Sequence, residues 1–107
     1  MSALPPITLP RIEIEPEAQA YAEEKNAPFR HMLQAVPRLF PTFRKLRVAL
    51  EPDAEMADYF FVVWYVTVPE EDYAAGWDKR GAWHDEFEKG RDGFAWVSFP
   101  LYVEKAG

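Results

Sequence analysis

Few residues of this chain are of a type that does chemistry. Its two histidines are His31 and His84, and neither belongs to a recognisable ligand spacing. On a helix His84 and Glu88 would share one face at i and i+4, where they could hold a metal ion. Two ligands do not make a site. We therefore predict no metal site and expect His84 to be partly buried within an aromatic stripe.

The carboxylates give no clear catalytic pattern. Glu70, Glu71 and Asp72 follow Pro69, and this order is typical of the first turn of a helix, where acids complement the positive helix end. The sequence has no glycine-rich phosphate loop, no G-x-S-x-G elbow and no paired catalytic motif. It also has no cysteine, which excludes thiolate nucleophiles, thiolate zinc sites and disulfides. The sequence thus favours a protein that is not an enzyme, and we expect no cofactor.

Aromatic residues are the other candidates. We expect most of the four tryptophans to lie in the core, but Trp83 falls off the helical stripe formed by Tyr73, Trp77 and His84. Since exposed tryptophans often anchor interfaces, Trp83 is a candidate anchor. A second hypothesis is a ligand pocket between helices and sheet, lined by Trp64, Tyr65, Trp77, His84 and Trp96. An enclosed volume of ~300 Å³ or more would favour it.

These residues must be positioned by one domain, since the chain has 107 residues, of which 49% are hydrophobic. Pro5, Pro6 and Pro10 predict an extended arm over residues 1–10. A short strand at 11–15 and a helix broken at Pro28 follow. Apolar and polar residues alternate over 43–51, which indicates a strand that lies at an edge or has one face toward solvent. Residues 59–68 are apolar at both odd and even positions, as in a central strand that is buried on both faces. A helix begins near Pro69, and Pro100 confines the last strand, 94–104, to an edge or a bulge.

In this order the elements predict an α+β protein with the split β-α-β fold of ferredoxin-like domains, with an antiparallel sheet and helices on one face. That fold requires a central first strand, yet residues 11–15 are short, charged and flanked by prolines. The competing fold is a three-stranded α-β-β-α-β sheet with an extended N-terminal arm.

The long helix contains two glycines whose roles the sequence does not decide. A close approach of the helix to the sheet would explain Gly81, and a kink in the helix would explain Gly76.

An apolar sheet face that helices leave open needs a cover. The strand at 59–68 places apolar residues on both faces, and monomers rarely expose such patches. We therefore predict a homodimer formed through the sheet face, with a different protein or the N-terminal arm as the other covers.

Charge points to a basic partner. Residues 1–54 hold seven bases and seven acids, whereas residues 55–107 hold five bases and eleven acids, so the net charge of −6 lies in the second half. This balance disfavours nucleic acid and suits a basic protein. The predicted partner-binding residues are Asp53, Glu55, Asp58, Glu70, Glu71, Asp72 and Trp83. The sequence shows no signal peptide or membrane span, so we expect a soluble, cytoplasmic protein.

The alternating strand that ends in Glu51-Pro-Asp-Ala-Glu55, the long apolar strand, the acidic helix bearing Trp83 and the final strand together resemble small uncharacterised acidic bacterial proteins of similar length. The resemblance covers about the last two-thirds of the chain and carries over no functional residue. It implies a bacterial accessory protein, such as the acidic member of a toxin–antitoxin pair. Our first functional hypothesis is accordingly a non-enzymatic protein–protein interaction module, antitoxin- or immunity-like. The alternative is a small-ligand binder or cofactor-free enzyme of the dimeric ferredoxin-like type.

Overall fold

The computed structural model describes residues 10–25, 27–52, 54–55, 60–88 and 100–106. Within them the protein is α+β, with a four-stranded mixed sheet and three α-helices. In chain order the elements are β1 (Arg11–Ile14), α1 (Pro16–Glu24), α2 (Phe29–Leu39), β2 (Lys45–Pro52), β3 (Phe60–Val68), a 3₁₀ turn (Glu70–Asp72), α3 (Tyr73–Glu88) and β4 (Leu101–Lys105). None of the described helices is both long enough and apolar enough to cross a bilayer.

The strands lie side by side in the order β1-β2-β3-β4. β1 runs parallel to β2, β2 antiparallel to β3, and β3 parallel to β4. The antiparallel sheet that we expected is therefore wrong, and the first strand is not central, as the ferredoxin-like fold would require, so that fold is not confirmed. β1 has only four residues, two of them charged, and such a strand is better tolerated at an edge than between two buried neighbours.

Other expectations about the strands are confirmed. β3 is central, as its two apolar faces predicted, and β4 lies at an edge of the described sheet, as Pro100 predicted; residues 94–99 of the strand expected over 94–104 lie outside the described residues. β2 is not an edge strand, but it does keep one wet face, where Lys45 and Arg47 remain partly exposed. Both parallel connections contain helices, as crossovers between parallel strands require.

The described helices pack on one side of the sheet, and their buried residues form a core with it. α2 contributes Phe29, Met32 and Val36 to this core at helical spacing, and all three are buried. From the sheet, the core takes alternate residues: Leu46, Val48, Val62, Trp64, Val66, Val68, Leu101 and Val103. The side of the sheet that faces away from this core is called the open face below.

α3 is rotated relative to our expectation. Gly76, Trp83 and Phe87 are buried, whereas Trp77 is exposed. A Cβ atom on Gly76 would lie 2.8 Å from Cγ1 of Val103, while around Gly81 no described atom lies within 4 Å of that position. Gly76, not Gly81, is therefore the residue that lets the helix approach the sheet.

Candidate functional site

Four side chains stand in one row across the open face, one from each strand. The strand register aligns Glu13 with Arg47, Arg47 with Tyr65, and Tyr65 with Tyr102. Residues aligned in this way project to the same side of a sheet. The row therefore lies on the side opposite to the core residues Leu46, Val48 and Trp64.

Arg47, Tyr65 and Tyr102 are in contact one after the other and are called the tyrosine row below. The guanidinium carbon of Arg47 lies 4.3 Å from the centre of the Tyr65 ring, within the range of a cation–π interaction. The Tyr65 and Tyr102 rings stack, with centroids 5.7 Å apart and planes 26° apart. Tyr102, at the β4 end, is 44% exposed. The row thus ends on an aromatic ring that is accessible to another molecule.

Tyr65 is held in place by a second strand residue. Its hydroxyl donates a hydrogen bond to Oε2 of Glu51 on β2. This hydrogen bond, together with burial and the negative charge of Glu51, raises the pKa of Tyr65 to about 12, although the positive charge of Arg47 opposes the shift. Tyr65 therefore stays neutral at physiological pH and keeps donating to Glu51.

Charged residues surround the row. Oε1 of Glu13 lies 3.3 Å from Nε of Arg11, and its Oε2 lies 3.5 Å from Nζ of Lys45. On β4, Glu104 is exposed and lies two residues beyond Tyr102, so the two side chains share the open face. The positive charges of this face are thus on β1 and β2, while β4 contributes a carboxylate next to the exposed tyrosine.

The middle of the open face is apolar. Ala49 and Val63 are aligned on β2 and β3, and both are buried. The register places them between the pair Arg47–Tyr65 on one side and the pair Glu51–Phe61 on the other. The tyrosine row therefore borders an apolar centre whose side chains are buried.

The structure separates the acids that we predicted as one partner-binding surface. Glu55 is exposed beyond the end of β2, whereas Glu70 and Glu71 are exposed beyond the end of β3. Because β2 and β3 are antiparallel, their ends lie at opposite ends of the sheet. Asp72 accepts a hydrogen bond from Thr42 Oγ1 at 2.6 Å, and Asp53 and Asp58 lie outside the described residues. The described acids therefore do not form a single patch.

The prediction that Trp83 is an exposed anchor is wrong. Its ring is 0% exposed, it packs 5.3 Å from the ring of Trp64, and its Nε1 donates to the carbonyl oxygen of Met32 at 3.4 Å. Trp77 is instead 39% exposed on α3, with the guanidinium carbon of Arg80 5.4 Å from its ring. The roles expected for the two tryptophans are exchanged.

The predicted pocket residues do not come together either. Trp64 lies in the core against Phe29 and Trp83, while Tyr65, the next residue along the strand, belongs to the open face. His84 contacts the ring of Trp83 edge to face at 5.3 Å, Trp77 is exposed, and Trp96 lies outside the described residues. The core at this position is filled by aromatic rings.

A small cleft lies elsewhere. Its volume is about 80 Å³, and none of the predicted pocket residues lines it; its walls are Leu39, Phe40, Pro41, Thr42, Val68, Asp72, Ala75, Gly76 and Lys79. Among the described residues no group of three or more His, Cys, Asp or Glu side chains is placed to hold a metal ion. The described chain thus offers a surface, the tyrosine row, as its best-formed candidate site.

The sequence carried part of the signal for this row. The alternation in 43–51 placed Arg47 on a wet face, and the parity of 59–68 placed Tyr65 and Val63 on the face opposite to Trp64. The sequence did not show which strands are neighbours in the sheet. The register that aligns Arg47, Tyr65 and Tyr102 depends on that pairing. No protein-family model, no curated protein and no solved structure matches this chain. Inferences about function therefore rest on these contacts.

Proposed function

We propose that the protein is a non-enzymatic protein–protein interaction module, of the antitoxin or immunity type, and that it binds a basic partner on the open face of its sheet. The observation that carries the proposal is the tyrosine row: a stack on the face of the sheet against which none of the described helices packs, ending in Tyr102, which is 44% exposed. Exposed tyrosines are enriched where proteins bind each other, because they offer a large contact area with few torsions to fix.

The partner's chemistry follows from the contacts of the row. Arg47 already packs over the Tyr65 ring, which shows that this face accommodates a guanidinium against tyrosine. An arginine of the partner would extend the row by stacking on Tyr102, and Glu104 on the same face would supply the opposite charge. Tyr102 and Glu104 are thus the proposed contact residues.

Long-range attraction between this protein and a basic partner would come from the net charge of the whole chain and not from the charges of the open face. On the described open face the positive charges of Arg11, Lys45 and Arg47 nearly balance the negative charges of Glu13, Glu15, Glu51 and Glu104. The net charge of −6 belongs to the chain as a whole. It would raise the rate of encounter with a basic protein, while the tyrosine row would decide where that protein docks.

A ligand-binding or enzymatic function has less support in the geometry. Sites for small molecules have volumes of roughly 300 to 1,000 Å³, whereas the described cleft has about 80 Å³. The aromatic residues that we expected around a pocket fill the core or lie on separate surfaces. The interaction module is therefore the function that we put forward.

The proposal can be tested with a defined basic probe. An acetylated hexa-arginine peptide is titrated into the ¹⁵N-labelled full-length protein, and amide chemical shifts are followed at low and high salt. We expect the largest changes at β3 and β4, around Tyr65 and Tyr102. Tyr102→Ala should weaken binding by about 3- to 30-fold, which corresponds to one cation–π contact. A hexalysine peptide should bind less tightly, because it lacks the planar guanidinium.

Trp77 provides a matched control. It is an aromatic residue of similar exposure, also near an arginine, but it lies on α3 on the other side of the sheet. Trp77→Ala should leave the affinity for the peptide unchanged. Equal losses in the two variants would contradict the proposal. A homodimer that Tyr102→Ala dissociates would assign the open face to a second copy and would also contradict it.

A further inference from the structure

The outer edge of β1 has no strand beside it among the described residues. The amide of Arg11 donates to the carbonyl oxygen of Arg44, and that of Glu15 to the carbonyl oxygen of Val48, each at 3.0 Å. Residues of a strand direct their N–H and C=O groups alternately to its two sides. The backbone groups of Ile12 and Ile14 therefore point away from β2, toward the edge of the sheet.

Ile12 is the large apolar side chain at this edge. The register aligns it with Leu46, Val66 and Val103, all of which are buried in the core. Ile12 itself is 52% exposed, because the helix layer does not cover the beginning of β1. An unpaired strand edge with an exposed isoleucine is a surface on which another strand could pair.

We propose that a second copy of this chain occupies that edge, with the two β1 strands antiparallel and Ile12 opposite Ile12 of the partner subunit. In this register Arg11 of each copy faces the partner's Glu13. Arg11 and Glu13 lie on the open face and are accessible, with 74% and 42% of their side chains exposed. The sequence Arg-Ile-Glu is therefore complementary to itself across a two-fold axis, as a symmetric dimer requires.

The backbone fits the same register. Ile12 and the partner's Ile12 would exchange two hydrogen bonds, because the N–H and C=O of this residue face outward. The amide of each Ile14 would donate to the carbonyl of the partner's Pro10, which adds two more. Pro10 has no N–H, so it ends the ladder at that point. The isoleucine side chains would meet on the helix side and cover each other.

Other symmetric registers are unfavourable. Pairing around Arg11 or around Glu13 places two like charges directly opposite each other, and pairing around Ile14 places Glu13 opposite the partner's Glu15. Like charges in directly opposed positions are destabilising. Among these registers, only the one around Ile12 aligns opposite charges without also placing two like charges opposite each other, and it uses outward-facing backbone groups. This selectivity favours a second copy over an unrelated strand.

The dimer would be a continuous eight-stranded sheet. Because the two-fold axis of such a pair is perpendicular to the sheet, both helix layers would lie on one side and both open faces on the other. This inference involves the β1 edge and does not depend on the proposed function of the open face. The proposed edge-to-edge dimer differs from the sheet-face dimer that we expected from the sequence.

Sedimentation equilibrium on the full-length protein tests the proposal from about 10 to 500 µM, since a short edge pairing belongs to the weak class of interfaces. We expect a monomer–dimer equilibrium for the natural sequence. Arg11→Glu and Glu13→Arg should each weaken self-association about tenfold or more. The first variant then has glutamate at positions 11 and 13, and the second has arginine at both positions. Mixing the two variants should restore a dimer, because each glutamate of one chain then faces an arginine of the other.

Ile12→Pro is a second, independent variant. It removes the two central hydrogen bonds of the dimer but no amide that β1 uses to pair with β2, so the monomer should keep its circular dichroism spectrum while the dimer is lost. Tyr102→Ala should leave the dimer intact. A natural protein that is monomeric at every concentration, a dimer that survives in folded Ile12→Pro, or a mixture that stays monomeric would each overturn the proposal.

Discussion

Tyr65 and Glu51 are joined by a hydrogen bond that spans the open face from β3 to β2. The register aligns Tyr65 with Arg47 and Glu51 with Phe61, so the bond runs past the buried pair Ala49 and Val63. It connects the stacked end of the tyrosine row to the opposite end of β2. The orientation of Tyr65, and with it the stacking of Tyr102, therefore depends on a carboxylate four residues along β2 from Arg47.

Because of this hydrogen bond, we expect the free energy of unfolding to fall as the pH rises above 10. The pKa of Tyr65 is about 12 in the folded protein, against an ordinary value of 10.0. Below pH 10 the phenol is protonated in both states and the contribution is complete. Between pH 10 and 12 the unfolded chain loses the proton first, so the free energy of unfolding falls. Urea unfolding at pH 9, 10 and 11 should show a smaller fall for Tyr65→Phe than for the natural sequence.

A spectroscopic measurement complements that prediction. The absorbance of tyrosinate at alkaline pH should contain a component with a pKa about 12 that disappears in Tyr65→Phe. Glu51→Gln removes the negative charge that raises the pKa and should move this component toward lower pH. If the component lost in Tyr65→Phe titrates near pH 10 and Glu51→Gln does not shift it, the hydrogen bond is absent in solution.

The two glycines of α3 should respond in opposite ways to substitution by alanine. Gly76→Ala places a Cβ 2.8 Å from Val103 and should lower the free energy of unfolding by about 1 to 3 kcal/mol. Gly81→Ala meets no described atom within 4 Å and should raise it by about 0.4 to 1 kcal/mol through helix propensity. Urea denaturation of both variants measures the contrast, and Val103→Ala should cost less stability in the Gly76→Ala background than in the natural sequence, because it also relieves the clash.

The strand types could be predicted from the sequence because each depends on local chemistry. Ten consecutive aromatic and β-branched residues in 59–68 require burial on both faces, and β3 is central. Strand neighbours could not be predicted in the same way. The same order of elements is compatible with β1 beside β2 or elsewhere in the sheet, and the choice depends on contacts between residues distant in the chain.

The orientation of α3 shows a second limit. Aromatic residues are distributed around this helix, so Trp77 and Trp83 both have neighbours at helical spacing, and the apolar pattern does not select one face. The deciding residue is Gly76, which brings no side chain to any stripe but allows contact with Val103. The large residues alone predicted that Trp77 faces the sheet and that Trp83 is exposed, which is the reverse of what the structure shows. The predicted anchor residue was wrong for the same reason.

The contact between Arg47 and Tyr65 should be measurable as a coupling energy. In a double-mutant cycle, Arg47→Gln and Tyr65→Leu should show a coupling of about 0.5 to 1 kcal/mol in the free energy of unfolding, typical of a cation–π pair at a surface. A control cycle of Arg47→Gln with Trp77→Ala should show none, since these residues lie on opposite sides of the sheet. Equal coupling in both cycles would mean that the effect is not a contact within the row.

The largest expected difference in stability is between alanine substitutions at the buried Trp83 and at the exposed Trp77. Trp83 is fully buried against Trp64 and Phe87, so Trp83→Ala leaves a cavity and should lower the free energy of unfolding by about 3 to 5 kcal/mol. Trp77→Ala removes an exposed ring and should cost under about 1 kcal/mol. Urea denaturation followed by far-UV circular dichroism measures both without relying on tryptophan fluorescence. A Trp77→Ala variant that loses more stability than Trp83→Ala would mean that α3 presents its other face to the sheet, because the cavity would then form at Trp77.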